Sequence, residues 1–148
     1  MPALASQLEN IVYSVSPKFD SLSNVDDYKP NPSKWSKKEI LGHLCDSASV
    51  NHKRFVEILI SKEPITIHGY NQNLWVQIHN YQHTFSTEEI LHIWISLNKR
   101  IVKLLTNVTE KQWQLPCKTE DQNIVTLEWL VTDYIDHMNH HFKQIFGE

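Results

Sequence analysis

Leu127-Glu128-Trp129-Leu130-Val131-Thr132-Asp133-Tyr134-Ile135-Asp136-His137-Met138-Asn139-His140-His141-Phe142-Lys143-Gln144-Ile145 reads as one amphipathic helix. Its apolar members, Leu127, Leu130, Val131, Tyr134, Ile135, Met138, Phe142 and Ile145, recur every three or four residues, the period of a helix with one face on a core. Thr126 stands where an N-cap belongs, and Glu128 in the first turn suits the positive end of the helix dipole. Gly147 ends the pattern.

The same period appears three more times. From about Leu4 to Leu22 the apolar positions are Leu4, Leu8, Ile11, Val12, Val15, Phe19 and Leu22, with Pro17 predicting a kink or a break. A polar connection from Ser23 to Lys34, with Pro30 and Pro32, separates it from the next helix. That helix opens at Ser36 with Glu39 three residues on, a capping box. It carries Ile40, Leu41, Leu44, Ala48, Phe55, Val56 and Leu59 to near Ile60, and Pro64 bars its continuation. Ser86 and Glu89 open the third helix, with Ile90, Ile93, Trp94, Leu97, Ile101, Leu104 and Leu105 as its stripe.

Between the helices, Ser61–Thr84 is a long connection holding one short helix, Asn71–His79, with Leu74, Trp75 and Ile78 on one face. Connections of this length in a small domain are often functional. Val108–Val125 reads as a loop with Trp113, Pro116 and Cys117. Four amphipathic helices of this length must bury their stripes together, so the expected fold is an all-α four-helix bundle. The pattern leaves the bundle topology open, since the first two connections are long enough for crossovers.

Composition narrows the function. The 148 residues fit one domain, 1–148, and three glycines are too few for a hairpin-rich fold. Net charge is −3 and no Lys/Arg run exceeds two residues, which argues against nucleic acid as a partner. No stretch of about 18 apolar residues is present to span a membrane. The first nine residues lack the basic region and apolar core of a signal peptide. Cys45 and Cys117 form no framework, so reduced thiols and a cytoplasmic protein are expected.

Nine histidines are the compositional oddity. On the last helix His137 and His141 lie four residues apart, about 40° around the axis, and project from one face. Such a pair commonly offers two imidazoles to one metal ion, although the spacing also arises by chance. Asp133, one turn earlier, is either an orienting partner for His137 or a solvated helix residue. His43 sits beside Gly42, between Leu41 and Leu44, on the apolar side of its helix. There it is either a hydrogen-bonded core residue or a third ligand. Gly42, with no side chain, lets a neighbour approach closely.

Of the other candidates, Asp46 reads as an exposed residue or as a partner one turn from His43. Cys45 points away from His43. Tyr70, Gln72 and Trp75 lie in the long connection, where Trp75 either plugs the bundle end or helps to lid a site. Trp35, Trp94, Trp113 and Trp129 read as packing residues. His52, His68, His79, His83 and His92 read as exposed.

Three stretches in order resemble the DinB/YfiT-like superfamily. They are Trp35-Ser36 leading to Gly42-His43-Leu44, the segment Tyr70-Asn71-Gln72-Asn73-Leu74-Trp75, and His137-Met138-Asn139-His140-His141 ending in Gln144-Ile145. The resemblance spans nearly the whole chain. It implies a four-helix bundle of DinB/YfiT-like type, with a metal centre whose ligands fall on His43, His137 and His141. His140 matches a neighbouring family histidine but points about 100° away from His141.

The resemblance further implies a nickel or zinc ion, a homodimer, and for some members S-transfer from a low-molecular-weight thiol. The expectation is a metal-dependent enzyme, a transferase or hydrolase, acting on a small-molecule substrate through an open three-histidine site. The alternative is a non-catalytic, metal-stabilised bundle with a stress-response or interaction role.

Overall fold

The structure, a computed structural model, describes residues 2–20 and 27–147. Leu22 and the start of the connection at Ser23 lie outside the described residues. Helix α1 (Pro2–Asp20) continues through Pro17 without the expected break. Pro17 falls in its last turn, so the missing N–H and the ring's clash act where the helix is about to end.

Helix α2 (Lys37–Ile60) is the longest element among the described residues. Its capping box forms in full: the Glu39 amide donates to Ser36 Oγ at 3.1 Å and the Ser36 amide donates to Glu39 Oε1 at 3.0 Å. Lys29 adds an ion pair to Glu39, and Ser36 Oγ donates to Gln82 Oε1, so this helix start is fastened from both flanking connections.

The long connection holds two helices rather than one. In α3 (Gln72–His79) Asn71 caps the Leu74 amide. Asn80, at φ 51°, turns the chain into the single turn α4 (Tyr81–Thr84). Asparagine tolerates that left-handed conformation better than most residues. The expected apolar face of α3 is not the buried one. Leu74 and Ile78 are 56% and 84% exposed, and Val76 is buried instead. An eight-residue helix has too few positions for its pattern to fix which face docks.

Helix α5 (Thr87–Thr106) is capped by Ser86 and buries Ile90, Leu91, Trp94, Ile101, Val102 and Leu105. Its stripe is thus rotated slightly from the expected one: Leu91 is in and Ile93 is out. The expected loop after it contains a one-turn helix, α6 (Glu110–Trp113), and a hairpin of β1 (Pro116–Lys118) with β2 (Ile124–Thr126). Lys118 also bridges to Thr66 in the long connection. Helix α7 (Leu127–Phe146) starts at the Thr126 cap and stops at Gly147, φ 74°.

The four long helices pack in the ring order α1, α5, α2, α7. Helices α1 and α2, consecutive in the chain, therefore face each other across the ring. That is why their connection must be long. Inside lie Leu8, Leu41, Phe55, Trp94, Ile101 and Met138 among others. Trp94 and Trp113 are fully buried as expected, whereas Trp129 is 48% exposed and packs no core. No helix among the described residues is long and apolar enough to cross a membrane. The adjacency of α2 and α7 places His43 opposite His137.

Candidate metal centre

His43 projects from α2 into the bundle, fully buried, and His137 and His141 project from α7 to meet it. His43 Nε2 is 3.4 Å from His137 Nε2, and His141 Nε2 is 3.1 Å from His137 Nε2. The ligand atoms of all three lie within 4.8 Å of one another. The rings stand nearly perpendicular to each other, at 75° to 84°. Each ring therefore points an edge nitrogen at a common centre. His140 stands outside this group and is exposed.

Three nitrogens converging this closely need a reason. A neutral imidazole has one N–H and one lone pair. Metal–nitrogen bonds of about 2.0–2.1 Å put two ligand nitrogens roughly 3.0–3.4 Å apart on one ion. The two spacings to His137 fall in that range, and His43 and His141 lie within 4.8 Å of each other. His141 Nδ1 is held at 2.8 Å by Gln144 Oε1, an acceptor, so Nδ1 carries the proton and the Nε2 lone pair faces the centre. The donor set thus fits a divalent ion.

The electrostatics agree. Burial, then the neighbouring His141 and His137, lowers the pKa of His43 from 6.5 to about 3. Burial, with His141 and His140, lowers that of His137 to about 4. His141 is lowered chiefly by burial. At neutral pH all three are uncharged and their lone pairs are free. His43 Nδ1 is buried without a protein partner, with the Trp35 ring 4.8 Å away centroid to centroid.

Around the centre, one expectation changes. Asp46 is buried, not exposed, and its partner is not His43. Its Oδ1 accepts from Tyr81 Oη at 2.5 Å and lies 3.4 Å from His79 Nδ1. Burial raises the Asp46 pKa, an effect the Tyr81 hydrogen bond opposes. His79 is exposed, as expected, and it stacks on Tyr81 and contacts the Trp75 carbonyl at 2.8 Å. Tyr81 reaches Asp46 by lying over Gly42, where any Cβ would overlap its ring. No sequence spacing links α2 to α4, and the Gly42 gap was the single visible sign.

Asp133 is exposed and is not within hydrogen-bonding distance of His137 among the described contacts. It lies instead on the rim of a polar cleft of about 120 Å³ that His137 helps to line. Trp75 is half-buried and stacks edge-on against Tyr70, beside that cleft rather than as a plug in the core. Cys45 is buried and donates to the Ile90 carbonyl, clear of the histidines. A larger groove, 490 Å³, runs between α1 and α7 past His140 but includes none of the three.

Comparison with known proteins agrees with this fold. The family model of the DinB superfamily matches residues 22–145. The BH0277 protein of Halalkalibacterium halodurans, whose name assigns it provisionally to the metal-dependent hydrolases, is 25% identical over 138 residues. That match covers 93% of this chain and 78% of that protein. YfiT of Bacillus subtilis, with the same provisional name, is 26% identical over 112 residues. Here the match covers 75% of this chain and 62%, under two thirds, of YfiT. The solved YfiT structure, described as a probable metal-dependent hydrolase with an unusual four-helix bundle topology, superposes with a TM-score of 0.83. It is 22% identical, with 97% of this chain and 82% of that one covered, a likeness in fold.

Proposed function

The chain belongs to the DinB superfamily, and from that premise we propose that it is a metal-dependent hydrolase of a small molecule. His43, His137 and His141 would hold one divalent ion, zinc or nickel. The observation that carries this reading is the convergence of three uncharged Nε2 atoms at 3.1 and 3.4 Å. The names of the relatives in Halalkalibacterium and Bacillus support the reaction class.

A divalent ion on three imidazoles keeps coordination positions open and supplies Lewis acidity there. The rest is the work of the chain. Gln144 fixes the tautomer of His141. The buried setting of His43 and His137 keeps them unprotonated well below neutrality. The cleft at His137 gives a small molecule a way in, which favours an enzyme over a metal that serves structure alone.

S-transfer needs a thiolate. Cys45 cannot supply it, since burial pushes its thiol far above the usual range, and Cys117 is also buried with a raised pKa. A thiol would have to arrive as a co-substrate. The test is a panel of ester, amide and phosphoester substrates, run beside a small thiol with an electrophile. Each is assayed on chelator-treated protein, on protein reloaded with zinc or nickel, and on a His137→Gln variant. Hydrolysis restored by metal and absent in the variant is expected. Equal turnover in the chelated protein or in the variant overturns the reading.

A further inference from the structure

We propose that the cleft beside His137 is the substrate subsite, in which the Tyr70 hydroxyl and the Arg54 guanidinium donate hydrogen bonds to a carboxylate or carbonyl oxygen of the substrate. This rests on the metal reading of the three histidines and adds the chemistry of what binds next to them.

The cleft is small and polar. Its walls include Ser47, Asn51, Arg54, Tyr70, Asp133 and His137. Its volume of about 120 Å³ equals the liquid share of roughly four water molecules. A group of a few heavy atoms touching His137 is therefore within reach of the opposite wall.

Tyr70 is the wall's unmet donor. Its hydroxyl is buried with no acceptor for its proton, and the neighbouring Ser47 hydroxyl, which favours the ionised phenol and so approaches as a donor, does not take that proton. Buried polar groups are nearly always paired, so an exception calls for an explanation. Burial pushes the Tyr70 pKa up to about 12, so the hydroxyl keeps its proton and can only profit from an acceptor.

The position of Tyr70 is built, not incidental. Its ring packs edge-on against Trp75 at 5.3 Å. The strand of connection leading to it is pinned three times. Ile67 donates to the Lys118 carbonyl at 2.7 Å, Gly69 donates to Glu120 Oε1 at 2.5 Å, and Arg54 donates to the His68 carbonyl.

Arg54 contributes the second donor. Of its five N–H groups, one goes to the His68 carbonyl and one to Asn51 Oδ1 at 3.4 Å. The guanidinium is fixed by these bonds with N–H groups to spare. Asp133 and Glu120 both face it and offset its charge. The subsite therefore carries no large positive charge. That suits one oxygen of a carboxylate or a polarised carbonyl better than a phosphate.

The test uses the full chain loaded with cobalt(II), whose visible bands report on its coordination, and acetohydroxamate as the probe. The wild type is titrated beside Tyr70→Phe, which removes the hydroxyl alone. Both should load one cobalt, and Tyr70→Phe should bind acetohydroxamate roughly five- to twentyfold more weakly, the loss of one hydrogen bond. Ser47→Thr, which adds a methyl group to the cleft wall, should weaken binding too and serves if Tyr70→Phe does not fold. Wild-type protein that loads cobalt but leaves acetohydroxamate unbound, or variants that bind it as tightly as wild type, would overturn the subsite and spare the metal reading. Failure of the wild type to load cobalt would remove the metal reading itself.

Discussion

His43 combines full burial with a ring nitrogen aimed at two other imidazoles, and its chemistry sets a pH dependence. A histidine whose folded pKa is lowered takes up its proton more readily when unfolded. The unfolded chain then gains protons between the ordinary value of 6.5 and the folded values of about 3 and 4. Stability of the metal-free protein is thus fully present above about 6.5 and falls as the pH drops towards 4. Asp46, with a raised pKa, works in the opposite direction, but equally in wild type and in a histidine variant. Thermal melting in chelator from pH 7.5 to 4.5 should show a steeper loss for wild type than for His137→Gln. Parallel curves would mean that His137 is not held neutral by the fold.

Gly42 belongs to the same scale. Gly42→Ala should gain up to about 1 kcal/mol of helix propensity. It should lose about 1–3 kcal/mol by displacing the Tyr81 ring that lies over it. Net destabilisation is expected, read as a lower urea midpoint at unchanged slope. Among single residues, the His137/His141 pair was legible because both lie on one helix, where spacing is geometry. His43 was legible only as an oddity on an apolar face. Asp46 was misread as exposed because the residue that holds it, Tyr81, comes from a turn with no spacing relation to it.

Among the elements, the helix starts were the clearest signals. Ser36 and Glu39 cap each other as their spacing predicts, and Ser36 Oγ also donates to Gln82. Ser36→Ala should cost about 0.5–2 kcal/mol, towards the upper end because the cap is buried and tied to α4. Chemical denaturation of the variant measures it, and a change within error of zero would mean the cap is dispensable. The short elements were hidden for a physical reason. Strands of three residues and helices of four carry too few positions for a period to show. Thr109 with Gln112 is a capping box that could have revealed α6. The hairpin has no such marker, because it is held by pairing with Thr66 and by burying its own Cys117.

At the scale of the whole molecule, the bundle holds its candidate centre between α2 and α7, helices far apart in sequence and adjacent in the ring. The stripes foretold four helices and a shared core but were silent on ring order, since an amphipathic face does not say which partner covers it. An ion bound across α2 and α7 ties them together, and binding to the folded state alone raises stability by RT ln(1 + [L]/Kd). Wild type should therefore melt at a higher temperature with zinc or nickel present, and chelator should reverse the gain.

The most direct measurement is the metal content of the chain purified without a histidine tag, by elemental analysis of the wild type beside His43→Gln, His137→Gln and His141→Gln. One divalent ion per wild-type chain, and its loss from each folded variant, is the predicted result. Wild-type protein that stays metal-free after exposure to zinc and nickel, or variants that keep a full ion, would contradict the three-histidine centre.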